Sequence, residues 1–165
     1  MDLNFTDGSV IKSLQKMQLM IGPRPGKKSF NDLAGLNLSH CCTLLSERED
    51  VQPIKKICHK LECAWIWLPI DGGKLDTLRQ TDMGKYFHHL VQQTCETPEP
   101  RLYFHCSAGI HRTGYFVYIL LRLRGLDRGA AFDQLRQIRA VTAEQVGEDR
   151  IALADEFIAN FLSSA

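Results

Sequence analysis

No apolar run in this chain approaches the roughly 20 residues that a membrane-spanning helix needs. Nor is there an excess of charge of either sign: the formal net charge is +1 over 165 residues. That balance excludes a strongly basic field for nucleic acid and an acidic, disordered tail. Internal repeats, low-complexity segments and long linkers are also missing. A chain of this length without them is expected to form one domain spanning residues 1–165. The first residues, MDLNFTDGSV, lack the basic and apolar character of a secretory leader. No Cys-x-x-Cys occurs, and His88-His89 and Cys58-His59 have no partners at ligand spacing, so no metal site is expected. The six cysteines lie mostly in apolar segments of a chain large enough to do without covalent staples. They read as reduced and buried, which points to a cytosolic (cytoplasmic) setting.

What is present is an ordinary globular composition, 44% hydrophobic and 24% charged. Turn signals at Gly22-Pro23-Arg24-Pro25-Gly26, Asp71-Gly72-Gly73 and Thr97-Pro98-Glu99-Pro100 separate short apolar runs. Cys41 to Leu45, Ala64 to Leu68 and Leu102 to Phe104 read as buried strands, with Met17 to Ile21 as a fourth. Helical spacing fills the gaps. Val51 to Leu61 sets Ile54, Ile57, Cys58 and Leu61 on one face, and Leu75 to Cys95 sets Leu78, Phe87, Leu90 and Val91 inward. Gly114 to Leu123 is apolar almost all round and reads as a central helix. Asp127 caps a helix to Ile138, and Asp149 to Leu162 reads as a last amphipathic one. Strands alternating with helices predict an α/β domain on a mainly parallel sheet.

The stretch His105-Cys106-Ser107-Ala108-Gly109-Ile110-His111-Arg112-Thr113-Gly114 falls between the Leu102–Phe104 strand and the helix from Gly114. It is therefore a loop at the carboxyl end of a strand, where open α/β sheets take their ligands. The first N–H groups of the following helix have no internal partner and carry its positive dipole end. Ser107, Ala108 and Gly109 are small enough for the backbone to wrap a ligand closely, which makes a nest for a phosphate. Ser107, Ala108, Gly109, Ile110, His111 and Arg112 are the predicted phosphate-binding residues. At the floor of such a nest, the Cys106 thiol falls below its usual pKa and becomes a nucleophilic thiolate. Arg112 offers a planar fork for two phosphoryl oxygens. The chemistry needs neither metal nor cofactor.

The same ten residues resemble the active-site motif of the cysteine-dependent protein tyrosine phosphatase superfamily: His-Cys, five residues, then Arg-Ser/Thr. The resemblance implies that Cys106 forms a phosphocysteine intermediate and that Arg112 clamps the phosphate. It implies that Thr113 helps the thiolate leave, and that His105 orders the loop and helps keep the cysteine ionised. A general acid must come from another loop. In WIWLPIDGGKLD the candidates are Asp71 and Asp76. Asp71, after Pro69-Ile70 and before two glycines, is similar to the acid of the compact dual-specificity branch, while Asp76 reads as the cap of the next helix. Ile21-Gly22-Pro23-Arg24-Pro25, Leu44-Leu45, Glu47 and Tyr115 to Arg139 follow in the order of that branch, from Leu19 to Leu162. The fold implied is a mixed, mainly parallel five-stranded sheet with helices on both faces. Gln145 resembles a glutamine that positions the hydrolytic water in some members; a plain linker residue is the alternative.

Two departures from the pattern bear on substrate. His111 stands where glycine is usual before the arginine, and either adds positive charge at the pocket mouth or points to solvent. No stretch resembles the Lys-Asn-Arg-Tyr loop that builds a deep phosphotyrosine slot in the larger enzymes. Arg24, Lys27, Lys28 and Lys74 are candidates for a basic rim. The leading expectation is a protein phosphatase on phosphotyrosine, with phosphoserine and phosphothreonine as further substrates. A phosphoinositide or RNA 5′-phosphatase and a non-catalytic phosphate-binding module are the alternatives.

Overall fold

The computed structural model describes residues 8–72 and 74–163. Residues 1–7, on which the absence of a leader was read, and Gly73 of the presumed acid loop lie outside the described residues. All four predicted strands form: β1 Gln18–Ile21, β2 His40–Thr43, β3 Ala64–Trp67 and β4 Arg101–His105. They make one sheet in the order β1-β4-β2-β3, and every pairing is parallel. The sheet thus has four parallel strands among the described residues, not the mixed five implied by the family resemblance. The physical reason lies in the flanks of β1. Before it runs helix α1, Gly8–Gln15, with Val10 and Leu14 buried. After it come a 3-10 turn at Lys27–Ser29 and helix α2, Phe30–Ala34, so neither flank supplies another strand.

Helix α3, Gln52–Leu61, crosses from β2 to β3 with Ile54 and Cys58 buried, Leu61 packed half-buried against the core and Ile57 half-buried. The single helix expected over Leu75 to Cys95 is two: α4 Leu75–Gln80 and α5 Met83–Thr94. Thr81 turns extended, and the Asp82 carboxylate accepts from the Lys85 N–H at 3.2 Å, so a new cap interrupts the apolar period. Asp76 is not a cap, because Lys74 holds that position without a side-chain bond and Asp76 sits within the first turn. Beyond β4 come α6 His111–Leu123, α7 Arg128–Ile138, α8 Ala140–Gln145 and α9 Glu148–Ser163. Asp127 caps α7 as expected, accepting from the Ala130 N–H at 2.8 Å.

β4 is central, and α6 packs behind it, buried from Thr113 to Leu121. Phe116 joins the layers: its ring lies 4.4 Å from that of Phe87 on α5 and 5.7 Å from that of Phe104 on β4. Such stacked aromatics bury large area and leave a void when truncated. A parallel sheet also gathers the carboxyl ends of its strands on one edge. The loops after β1, β2, β3 and β4 therefore meet there, and the residues in question come from all four. All six cysteines are free, and all but Cys95 are buried. No described helix is long and apolar enough to cross a membrane.

Phe116→Ala should cost about 3–5 kcal/mol of stability. In urea unfolding the midpoint should drop with the slope unchanged; an unshifted midpoint would mean that Phe116 is not where the layers join.

Candidate active site

The loop between β4 and α6 is held open from outside, one carbonyl at a time. The Cys106 carbonyl accepts from His105 Nδ1 at 3.0 Å, and the Ser107 carbonyl from the Arg24 N–H at 2.9 Å. The Ala108 carbonyl accepts from the Arg139 guanidinium at 2.8 Å. The Gly109 carbonyl accepts from the Thr142 hydroxyl at 2.6 Å and from Arg139 at 3.0 Å. The Ile110 carbonyl takes the Gly114 N–H at 2.8 Å, which starts α6 three residues earlier than the apolar pattern suggested. With the acceptors turned outward, the loop's N–H groups are left for its centre. No side chain caps α6, so its orphan N–H groups stay available too. Gly109 adopts φ 71°, and a Cβ there would lie 2.2 Å from the Gly22 carbonyl oxygen. Only glycine suits both the left-handed backbone and that close approach.

Cys106 lies at the floor of this ring, 3% exposed. Burial raises its pKa, but hydrogen bonds from the Thr113 hydroxyl and from the Thr113 and Ile110 N–H groups, with the Arg112 charge, outweigh it and leave the thiol below its ordinary value. The Thr113 hydroxyl is buried and has no conventional nitrogen or oxygen partner, so the sulfur is the group it serves. Arg112 feels the charge of Cys106 in return, as well as that of Glu49 and Asp71; these keep it cationic against its burial.

His105 works through geometry. A carbonyl can only accept, so Nδ1 carries the proton toward Cys106 and Nε2 must be an acceptor. The Thr43 hydroxyl, 2.7 Å away, donates to it, and the Trp65 indole N–H donates in turn to Thr43 Oγ1 at 2.8 Å. The parallel register that sets Thr43 beside His105 makes this chain possible. Burial first, and then the charges of Arg24 and Arg112, push the His105 pKa down to about 4. The imidazole is therefore neutral near pH 7. It fixes the carbonyl of Cys106, in keeping with the loop-ordering role that the resemblance implied, and adds no charge of its own beside the sulfur.

Arg112 is gripped by a carboxylate that the sequence reading missed. Its Nη1 donates to Glu49 Oε2 at 2.7 Å and its Nη2 to Oε1 at 3.1 Å. Glu49 is itself held by the Ser46 N–H at 2.7 Å. The pair holds the Glu49 carboxyl near a pKa of about 2. The resemblance had pointed to Glu47, which is exposed and lies beside Asp71 and Tyr86. Arg112 Nη1 also donates to the Ile70 carbonyl at 3.0 Å. The loop after β3 thus rests on Arg112, and a Cβ at Gly72 would come within 2.3 Å of Arg112 Nε. Asp71 sits between Ile70 and Gly72, exposed and near enough for its charge to reach Arg112. The Tyr86 hydroxyl grips the Pro69 carbonyl and anchors the same loop to α5.

The remaining candidates divide. His111 is the first residue of α6 and exposed; partial burial, Arg150 and Arg112 lower its pKa, so it is mostly neutral near pH 7. Gln145 ends α8, exposed and without a bond to the loop; Thr142 and Arg139 make the contacts from that segment. Of the proposed rim, Arg24 lies against the loop through its backbone, while Lys27, Lys28 and Lys74 are exposed. Thr43, Trp65, Glu49, Arg139 and Thr142 had no local signal, because each acts across the fold.

Residues 73–134 match the family described as the tyrosine phosphatase family. The match contains the whole phosphate loop and begins just after Asp71. No curated protein sequence matches the chain. Among solved structures, PTPMT1 is similar at 18% identity and a TM-score of 0.66, over 89% of this chain and 93% of that one. PTP-2 phosphatase from Cydia pomonella is similar at 20% identity and a TM-score of 0.65, over 84% of each chain. The core catalytic domain of the PP-IP phosphatase SIW14 from S. cerevisiae is similar at 20% identity and a TM-score of 0.58, over 87% of this chain and 79% of that one. PTPMT1 has also been solved in complex with PI(5)P. At these identities the neighbours establish the fold. Residues 73–134 thus resemble the tyrosine phosphatase family, and the chain has the fold of these phosphatases.

The rate of iodoacetamide alkylation should have its Cys106 inflection below the ordinary thiol range. Thr113→Val should move it up, and Thr113→Ser should not. Equal inflections in all three proteins would remove the hydroxyl from the account.

Acid stability should carry the mark of His105. In the unfolded chain the group takes its proton below about 6.5, its ordinary value, but in the fold only near 4. The stability contributed by the neutral imidazole is therefore complete above pH 6.5 and lost progressively down to about 4. His105→Gln should lose stability less steeply over that window. Identical slopes by denaturant titration would contradict the assignment.

Proposed function

We propose that this chain is a phosphomonoester hydrolase working through a phosphocysteine intermediate. The observation that carries the reading is the ring of outward-tied carbonyls around a Cys106 whose pKa is lowered, with Arg112 alongside. The phosphoryl group seats its oxygens on the loop N–H groups and the guanidinium. The Cys106 thiolate attacks phosphorus in line, and the ester oxygen leaves with a proton from Asp71. Water then attacks the phosphocysteine, giving its proton to Asp71, and the sulfur leaves as a thiolate stabilised by the Thr113 hydroxyl. Gln145 as a positioner of that water finds little support in its exposed position.

The nest addresses only the phosphoryl oxygens, so it suits any accessible monoester. Phosphotyrosine in proteins is the first substrate class, with phosphoserine and phosphothreonine beside it. A second reading, a phosphorylated inositol at the same site, is favoured by Arg24 and Arg139, which lie against the loop and enter no ion pair among the described residues. It also fits the ligand of PTPMT1 and the description of SIW14. A silent phosphate-binding module is disfavoured by the presence of Cys106, Arg112 and Asp71 together.

Hydrolysis of an aryl phosphate should vanish in Cys106→Ser and fall steeply in Arg112→Lys. Asp71→Asn should slow a poor alkyl leaving group by about 10²–10⁴-fold and p-nitrophenolate far less. Equal slowing of both would remove Asp71 as the acid, and turnover by Cys106→Ser would overturn the mechanism.

A further inference from the structure

A cavity of about 270 Å³ opens beside Asp71, lined by Ser46, Glu47, Arg48, Pro69, Asp71 and Tyr86. That is close to the roughly 300 Å³ of the smallest ligand pockets, room for one side chain and little more. Both of its lips are tied to Arg112. On one side the Ser46 N–H donates to Glu49 Oε2 at 2.7 Å, and the same oxygen accepts from Arg112 Nη1 at 2.7 Å. On the other the Ile70 carbonyl accepts from Arg112 Nη1 at 3.0 Å, and Gly72 packs against the same side chain. A phosphate seated on Arg112, with its ester oxygen toward Asp71, therefore directs the rest of the ester into this cavity.

The walls define what fits. Pro69 and Tyr86 are half-buried. The Tyr86 hydroxyl is engaged by the Pro69 carbonyl, so the pair offers ring faces and little hydrogen bonding. Such a surface suits a flat aromatic ring. Glu47, Arg48 and Asp71 are exposed and stand at the rim. Neither Glu47 nor Arg48 enters an ion pair among the described residues. With Asp71 protonated for its transfer, the rim charges cancel; with Asp71 ionised, their sum is negative. The rim therefore offers a second phosphate no net positive field. The two oppositely charged groups differ in reach. The Tyr86 phenol responds to the charge of Glu47 and not to that of Arg48, so the carboxylate is the nearer of the two to the inner wall.

We propose that this cavity seats the leaving group and that Glu47 is a specificity residue, selecting phosphotyrosine in a peptide that carries a basic side chain next to it. This rests on the phosphatase reading, with Asp71 as the acid. The tyrosine ring lies against Pro69 and Tyr86, its ester oxygen meets Asp71, and the neighbouring ammonium or guanidinium pairs with Glu47 at the rim. A phosphorylated inositol has neither the flat ring nor the cation, and its further phosphates would face two carboxylates.

The test uses two phosphotyrosine peptides that differ only in carrying lysine or glutamate on both sides of the phosphotyrosine. At low salt kcat/KM should be about threefold higher for the lysine peptide, within the range of an exposed ion pair, and raised salt should narrow the gap. Glu47→Gln should bring the ratio toward one, and Glu47→Lys should invert it. Each ratio is taken on one protein, so a variant with lower overall activity still reads the subsite. A ratio near or below one in the wild type, or one unchanged in Glu47→Lys, overturns the role of Glu47. Faster turnover of an inositol bisphosphate than of the lysine peptide overturns the peptide preference. If Cys106→Ser abolishes hydrolysis of both peptides, the phosphatase reading survives either failure; turnover by Cys106→Ser overturns the two together.

Discussion

The site depends on where the carbonyls of residues 106–110 point. Five peptide groups in a tight loop cannot all turn their N–H groups inward unless their oxygens are satisfied elsewhere. His105, the Arg24 backbone, Arg139, Thr142 and the first turn of α6 provide that satisfaction. The partners come from the end of β4, the loop after β1, the junction of α7 and α8, and α6. The cradle is therefore a property of the tertiary fold. The short motif supplies a backbone able to take the shape, with Gly109 at φ 71° as its least replaceable residue.

The parallel sheet brings these partners together. Because β1, β2, β3 and β4 all run the same way, the loops after them meet on one edge. From there Gly22 packs under Gly109, Glu49 meets Arg112, and the Asp71 loop lies over the guanidinium. The same register places Thr43 against His105, so that an indole on an edge strand is linked to the Cys106 carbonyl through a hydroxyl and an imidazole.

These relations separate what was legible in the sequence from what was not. The loop that holds Cys106, Arg112 and Thr113 was readable because its place follows from sequence neighbours: a strand before, a helix after, small residues between. Four strands and the cap at Asp127 were readable for the same local reason. Glu49 was not, since choosing between it and Glu47 requires knowing which of two nearby carboxylates faces inward after β2. The charge state of His105 was hidden because it is set by burial and by cations distant in the chain. The break between α4 and α5 was masked by an apolar period that continues across a new cap. A fifth strand came from likeness alone, without an apolar run behind it.

A phosphate loop must attract an anion while keeping a thiolate at its floor, and positive charge serves both demands. Every cation that draws substrate in also lowers the thiol pKa, whereas every carboxylate that orders a cation works against both. Here the ordering carboxylate is Glu49, and its bidentate hold on Arg112 offsets much of that arginine's field at longer range. The sulfur's pKa is then lowered chiefly by short contacts, from the Thr113 hydroxyl and two backbone N–H groups, which do not extend to the mouth. Arg24 and Arg139 lie against the outside of the loop and take part in no ion pair among the described residues. On the proposed function, activation of Cys106 and attraction of the substrate are thereby assigned to different groups, the inner contacts acting on the sulfur and the outer cations on the incoming anion.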